Sequence, residues 1–424
     1  MRKIKVGIIG LGTVGGGVYK TLQNFKDTVE IKKIAVRNIN KPRNIEGLTP
    51  DILTENPQEI VNDKDIDVVV EVMGGVEPAL SLLTTAIRNK KHIVTANKEL
   101  LAKHGEELFR LATENNVVIL YEGAIAGGIP IIMPIKTILR ANRITKIDAI
   151  LNGTTNYILT KMDEDNASYD KVLKEAQELG YAEADPTGDV EGFDAAYKIV
   201  TLATIAFNKR IKLNGIYREG ITKITDKDIK FANEFGYKIK LIATAKLYDD
   251  GRADVRVHPM LVPKEYVLAK INNVTNAVML SGEPVGKIVF TGPGAGEMPT
   301  ASSVVGDILS IAAEIDKTDY PLPMMRCNHS EEAEKIDIED TENRYYISLS
   351  TQNTPGSIGV IGTICGKHKI NLSDILQKSA NDDNTAEVVV ITALSKDSNV
   401  KAALKEMKSS KAIVKINNLI RLMN

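Results

Sequence analysis

The chain lacks tryptophan altogether, and its 424 residues hold only two cysteines and five histidines. Cys327 and Cys365 are too few for a disulfide framework, so a reducing cytoplasm is the expected location. With imidazole and thiol so scarce, any chemistry must rest mostly on carboxylates, lysines and backbone groups. Neither sign of charge is in excess: 54 Lys and Arg stand against 55 Asp and Glu. That balance argues against nucleic acid or a membrane surface as a partner. No apolar stretch approaches the ~18–20 residues that span a bilayer. The apolar run after Met1, Arg2 and Lys3 ends at glycine, too soon for a secretory core. The sequence holds no convincing tandem repeat and no low-complexity segment.

What is present is an ordinary globular composition, 43% hydrophobic and 26% charged, on a chain long enough for two to four domains. Strand-like runs at 6–9, 31–36, 68–72, 93–94 and 117–121 alternate with helix-like runs at 14–25, 78–89 and 99–114. Such alternation predicts an α/β domain with a parallel sheet covered on both faces. We expect this dinucleotide-binding domain over 1–135, with a helix around 297–315 returning to it. Residues 136–318 read as an α+β substrate and dimerisation domain. The segment 319–342, rich in Pro, Asp and Glu, reads as a linker. Residues 343–424 follow a strand–helix–strand–strand–helix–strand order, a ferredoxin-like unit.

Gly10-Leu11-Gly12-Thr13-Val14-Gly15 follows the first strand and opens the first helix. Gly10 permits the tight turn, Gly12 lets backbone approach a pyrophosphate, and Gly15 lets helix and sheet pack closely. The strand–turn–helix setting predicts a dinucleotide, NAD or NADP. Where an Asp or Glu would select NAD, the second strand ends in Ala35-Val36-Arg37-Asn38. Arg37 suits the 2′-phosphate of NADP, which is favoured, although a solvated basic loop reads the same way.

The segment from Ala176 to Lys198 is the most informative. Asp194 and Lys198 stand four apart, on one helical face. In one reading they form a surface pair; in the other, Glu183 and Asp194 bind a substrate ammonium beside Lys198 as proton donor. The spacing by itself favours the surface pair.

This segment closely resembles the signature of homoserine dehydrogenases, with Ala176, Gly180, Asp185-Pro186, Asp189, Gly192, Asp194 and Lys198 all in place. Val72-Met73-Gly74-Gly75, Thr95-Ala96-Asn97-Lys98-Glu99, Asn152-Gly153-Thr154-Thr155-Asn156-Tyr157 and Gly292-Pro293-Gly294-Ala295-Gly296 extend the resemblance over essentially the whole chain. It implies interconversion of L-aspartate 4-semialdehyde and L-homoserine, in threonine, methionine and isoleucine biosynthesis. It further implies that Glu183, Asp189 and Asp194 contact the substrate, that Lys198 donates the proton, and that Lys98 lies between substrate and cofactor. Thr13, Val14, Gly180 and Gly296 would meet the dinucleotide. A monovalent cation, sodium, is implied at Glu122 through its carboxylate and at the carbonyls of Ile125, Gly127 and Ile129. Whether Lys98 or the carboxylates dominate the pKa of Lys198 is left open by the sequence.

Asn353-Thr354-Pro355-Gly356-Ser357-Ile358-Gly359 and Ile370-Asn371-Leu372-Ser373 resemble ACT domains, small regulatory modules that bind amino acids. Threonine is the natural effector by that analogy, and a homodimer or higher homo-oligomer is expected; a module used only for dimer contacts is the competing reading. Dehydrogenases that oxidise an aldehyde through a cysteine thioester are disfavoured, since neither cysteine falls in the catalytic segments. A non-catalytic sensor on the same scaffold is disfavoured by the full set Glu183, Asp194, Lys198 and Lys98.

Overall fold

Runs of Val and Ile without polar alternation become strands buried on both faces. In the computed structural model, which describes residues 2–316, 327, 329, 331–378 and 384–423, six of them form a parallel sheet. They are β1 (Ile4–Ile9), β2 (Val29–Ala35), β3 (Leu53–Thr54), β4 (Val68–Glu71), β5 (His92–Thr95) and β6 (Ile119–Leu120), in the order β3-β2-β1-β4-β5-β6. This is the doubly wound order, whose direction reverses between β1 and β4. The crevice at that reversal lies beside Gly10 and Val72. The first helix, Thr13–Leu22, ends before the expected residue 25, and a 3₁₀ turn, Gln23–Phe25, completes the run.

A helix from far along the chain, Glu297–Glu314, packs on Thr13–Leu22 and sends Val304, Val305 and Ile308 into the core of the parallel sheet. It begins where the sequence reading placed it, and Pro299 stands in its first turn, where a missing N–H costs nothing.

The second sheet is mixed. Its central strands are β7 (Arg143–Ile150), β8 (Tyr217–Arg218), β9 (Tyr237–Leu247), β10 (Ala253–Pro263), β11 (Thr275–Glu283) and β12 (Gly286–Pro293). The helices Gly153–Asp165 and Phe193–Phe207 lie against it. The C-terminal segment adds β14 (Tyr345–Gln352), β15 (Leu372–Gln377), β16 (Thr385–Thr392) and β18 (Ile413–Leu422), while its β13 (Glu342–Asn343) and β17 (Ser395–Lys396) pair with each other in a separate two-stranded sheet. The sheet order is β12-β11-β7-β9-β10-β18-β14-β16-β15, with β8 on β10.

Within that order, β18-β14-β16-β15 is the strand arrangement of a ferredoxin-like unit. The unit does not stand apart, however. Its last strand runs parallel to β10, pairing Met260 with Arg421 and Leu261 with Leu422, so the two units share one sheet. Of the expected linker 319–342, residues 319–326, 328 and 330 lie outside the described residues. The remainder is packed chain: Arg210 N donates to Glu331 O at 2.6 Å and Ala253 N to Glu334 O at 2.8 Å. Among the described residues, no helix is long and apolar enough to cross a membrane.

Candidate active site

The helix Phe193–Phe207 starts at Gly192, whose left-handed φ of +78° turns the chain sharply into it. Asp194 lies in its first turn and Lys198 one turn further, on the same face. That face is buried against the central sheet, so the pair is no solvated surface contact. Each side chain is 8% exposed, and Lys198 Nζ lies 2.7 Å from Asp194 Oδ2. Lys198 also donates to the carbonyl of Leu151 at 2.8 Å, at the end of β7.

A second lysine arrives from the parallel-sheet unit. Lys98 is the first residue of the helix Lys98–Asn115, and its Nζ lies 2.7 Å from Asp194 Oδ1. Its side chain is 43% exposed, and the contact is an ion pair without a well-aligned hydrogen bond. Asp194 Oδ1 therefore retains accepting capacity at the cleft.

Three residues given no role by the sequence reading set this geometry. Asn97 caps the Lys98 helix by accepting from Leu100 N at 3.1 Å, and donates to Gly75 O at 2.6 Å. Glu71, fully buried at the end of β4, accepts from Met73 N at 2.9 Å, Gly74 N at 3.2 Å and Thr95 Oγ1 at 2.7 Å. Asn152 caps the helix Gly153–Asp165 through Thr155 N, and its Nδ2 donates to Asp189 Oδ1 at 2.7 Å and Asp194 Oδ2 at 3.0 Å. The sequence signals for Asn152 are its fitness as a helix cap and its place in the motif Asn152-Gly153-Thr154-Thr155-Asn156-Tyr157.

The cleft above this set, about 480 Å³, is lined by Lys98, Glu183, Asp189, Phe193, Asp194 and Tyr197. Glu183 is exposed on its rim. A larger cleft, about 780 Å³, lies across Phe193 and Tyr197 but does not include Asp194; Lys198, buried behind Asp194, lines neither cleft. The smaller cleft brings Lys98, Glu183, Asp189 and Asp194 together.

Electrostatics separate the two lysines. Burial pushes Lys198 below the ordinary lysine value, against the pull of Asp194 and with help from Lys98. The Asp194 charge pushes Lys98 up despite burial. Burial works to raise the Asp194 carboxyl, but the two ammonium groups outweigh it and hold it well below the usual carboxylate range. Asp189 is pushed up by burial and by the Asp194 charge, against the Asn152 hydrogen bond.

The glycine turn fits a dinucleotide. Gly10 has φ +106°, and a Cβ on Gly15 would sit 2.1 Å from Gly10 O, so helix and turn are in close contact. A Cβ on Gly12 would meet nothing within 4 Å, which leaves space beside the backbone. No side chain caps the helix that Thr13 and Val14 begin, so its first N–H groups remain available for phosphate. Arg37 is exposed just past β2. Gly180, at φ +76°, follows the helix Tyr169–Glu178, and Gly296, at φ +118°, caps Glu297–Glu314.

The loop expected to hold a cation departs from expectation at one residue. The Glu122 carboxylate accepts from Ile131 N at 2.5 Å, Ile132 N at 2.8 Å and Met133 N at 2.8 Å. Its oxygens cap the start of the short helix Ile132–Lys136, so they are committed to backbone donors rather than presented to an ion. Gly127 has φ +58°, and its carbonyl accepts from Ser303 Oγ at 2.7 Å. Cys327 is buried, its Sγ 3.0 Å from Lys136 Nζ and 2.9 Å from Tyr121 Oη. Burial works to raise it, but Lys136 and His329 bring the thiol down to about 6. It does not line the cleft of Asp194 and Lys98.

Comparisons with known proteins point to one family. A family model described as homoserine dehydrogenase matches residues 130–309, and one described as homoserine dehydrogenase, NAD binding domain, matches 10–122. A homoserine dehydrogenase of Synechocystis is 42% identical, covering 99% of this chain and 100% of that protein. The crystal structure of a homoserine dehydrogenase from Thiobacillus denitrificans superposes with a TM-score of 0.94 at 38% identity, over 100% of this chain and 99% of that one. A hyperthermophilic archaeal homoserine dehydrogenase in complex with NADPH gives 0.64 at 27% identity, over 76% and 99%.

Proposed function

Because the chain belongs to the homoserine dehydrogenase family, oxidoreductases that interconvert L-aspartate 4-semialdehyde and L-homoserine with a nicotinamide dinucleotide, we propose that Lys198 is its proton donor and acceptor. The observation that carries this reading is the buried Lys198–Asp194 pair at 2.7 Å, whose Asp194 lines the cleft beside Lys98.

The dinucleotide, when bound, supplies the hydride for the aldehyde carbon. Lys198 stabilises the negative charge that develops on the substrate oxygen and delivers the proton to it. Burial makes it readier to release that proton than an ordinary lysine. Lys98 keeps its proton and serves as a fixed positive charge between cofactor and substrate. Glu183, Asp189 and Asp194 receive the substrate ammonium. Gly10, Gly12, Thr13, Val14 and Gly15 hold the pyrophosphate, with Gly180 and Gly296 at the cofactor's edge.

NADP is the favoured dinucleotide, because Arg37, exposed just past β2, follows the strand end where an acidic residue would select NAD. The monovalent cation, sodium, rests on the carbonyls of Ile125, Gly127 and Ile129, while the Glu122 carboxylate orders the loop. The buried acidic groups Glu122 and Asp307 favour a cation nearby: Glu122 N donates to Asp307 Oδ2 at 2.8 Å.

The C-terminal unit is an ACT-type regulatory domain with threonine as effector, a reading supported by its strand order. The exposed edge strand β15 favours pairing with a second copy, as a homodimer or larger assembly. The domain limits are those of the sequence reading, with 136–318 as the substrate domain, and the expected location is the cytoplasm.

The test is homoserine-dependent formation of reduced nicotinamide, followed by its near-ultraviolet absorbance, with each dinucleotide and with and without threonine. Turnover that vanishes in Lys198→Met supports the assignment. Turnover that persists at the wild-type level overturns it.

A further inference from the structure

Phe193 precedes Asp194 and lines the substrate cleft, and a charged side chain covers it. The guanidinium carbon of Arg218 lies 3.4 Å from the centre of the Phe193 ring. The same guanidinium donates to the carbonyl of Glu191, just ahead of the Gly192 turn. Ile221 N donates to Val190 O at 2.8 Å, and Thr222 Oγ1 to Glu191 Oε1 at 2.9 Å. Residues 218–222 thus clamp the turn from which Asp194 projects.

Arg218 is itself held from the opposite side. It shares the two-residue strand β8 with Tyr217, whose hydroxyl donates to Glu219 Oε2 at 2.9 Å and accepts from Arg421 Nη1 at 3.2 Å. The Arg421 guanidinium carbon also lies 4.6 Å from the centre of the Tyr217 ring. Arg421 is 2% exposed and pairs with Asp397 Oδ1 at 2.5 Å, which also accepts from Tyr345 Oη at 2.9 Å. Arg421, Asp397 and Tyr345 belong to the C-terminal unit, whereas Tyr217 belongs to the central one. A guanidinium without water is located by its partners, because leaving it unpaired is costly.

We propose that Arg218 is a positioning residue for the homoserine end of the cleft, and that the Tyr217–Arg421 contact lets the C-terminal unit set where Arg218 stands. The proposal rests on the assignment of Asp194 and its cleft to homoserine. Arg218 fixes Phe193 and the first turn of the helix that carries Asp194. Whatever shifts Arg421 moves β8, and with it the wall that meets the substrate ammonium. The dinucleotide turn at Gly10–Gly15 lies outside this chain of contacts, so homoserine affinity responds and dinucleotide affinity does not.

The test uses the full-length enzyme and four variants: Arg218→Lys, Arg218→Met, Tyr217→Phe, and the double variant Tyr217→Phe with Arg218→Met. Loss of a desolvated cation–aromatic contact in Arg218→Met raises the homoserine KM about five- to thirty-fold. Arg218→Lys keeps the charge and loses the fork, so its rise is smaller. Tyr217→Phe removes one hydroxyl and raises the homoserine KM roughly two- to fivefold. Dinucleotide KM stays near wild type in all four, the thermal midpoint falls by only a few degrees, and the double variant raises the homoserine KM no more than Arg218→Met, since both changes act through one residue.

A homoserine KM unchanged within about twofold in Arg218→Met, or an equal rise in dinucleotide KM, overturns the positioning role. Effects that multiply in the double variant overturn the link to the C-terminal unit. Should Arg218→Met fail to fold, Arg218→Lys and Tyr217→Phe decide, and wild-type homoserine KM in both overturns the proposal. A wild-type protein inert toward homoserine is a separate result, which removes the reading beneath it.

Discussion

Lys198 Nζ lies 2.7 Å from Asp194 Oδ2, one helical turn earlier, and both groups are shielded from water. A proton on Lys198 is therefore held by Asp194 and opposed by burial. General acid catalysis typically contributes about 10²- to 10⁴-fold, and Lys198→Met is expected to lower kcat by that order while dinucleotide affinity stays within about twofold. Steady-state turnover and fluorescence titration of reduced dinucleotide check the two halves. Equal losses in both would make Lys198 a binding residue.

The pH profile follows from the same pair. Homoserine oxidation needs Lys198 neutral, so its rate rises as pH passes the Lys198 pKa, and burial sets that below the ordinary lysine value of ~10.4. Asp194→Asn removes the charge that retains the proton and moves the rising limb to lower pH. Profiles of log kcat/KM for both proteins decide it; a limb that stays in place assigns the ionisation elsewhere.

Gly12→Ala and Gly15→Ala should separate ligand binding from packing. A Cβ at Gly12 meets nothing within 4 Å, so the variant folds with an unchanged thermal midpoint and loses dinucleotide affinity, by about tenfold or more if one phosphate contact is lost. A Cβ at Gly15 would lie 2.1 Å from Gly10 O, an overpacking that costs roughly 1–3 kcal/mol and lowers the midpoint. Similar behaviour in both variants contradicts the assignment of the open space to pyrophosphate.

Arg37→Ala is expected to leave stability unchanged, since the side chain is exposed. Loss of one charged hydrogen bond to a 2′-phosphate raises the KM for NADP about tenfold and leaves that for NAD within about twofold. The ratio of kcat/KM for the two dinucleotides is the readout, and an unchanged ratio sinks the role of Arg37.

His92 makes the fold acid-sensitive. Its Nδ1 accepts from Val118 N at 3.2 Å, which requires the neutral ring, and burial brings its pKa from 6.5 down to about 4. The unfolded chain takes up the proton first, so this contribution to stability is intact above about pH 6.5 and is lost as pH falls toward 4. At pH 5 the loss is about 2 kcal/mol. His258, also held well below its ordinary value by burial and by Arg421 and Arg256, acts in the same direction. Thermal midpoints measured between about pH 7 and pH 5 should fall less steeply in His92→Gln. An unchanged slope would assign the acid sensitivity to other groups.

Local pattern explains what the sequence by itself determined. The glycine turn between a buried strand and a helix, the alternation that builds a parallel sheet, and the four-residue spacing of Asp194 and Lys198 are properties of neighbouring residues. Strand and helix periods express them directly. The signature around Asp194 carried the enzyme class as well. Tertiary structure decided the rest, because burial and charge balance depend on residues distant in the chain. Spacing left Asp194–Lys198 open to being a surface pair until the central sheet buried it. Lys98 reaches the same carboxylate from another domain, and Asn152 holds Asp189 and Asp194 from the end of a third segment. Glu122 shows the limit most plainly: its type suited a cation, yet in the fold its oxygens accept from three backbone N–H groups. The C-terminal unit was legible as strands and helices, while its union with the central sheet through β10 and β18 was not. A strand's own residues specify that it will pair, and only the assembled sheet determines with which neighbour.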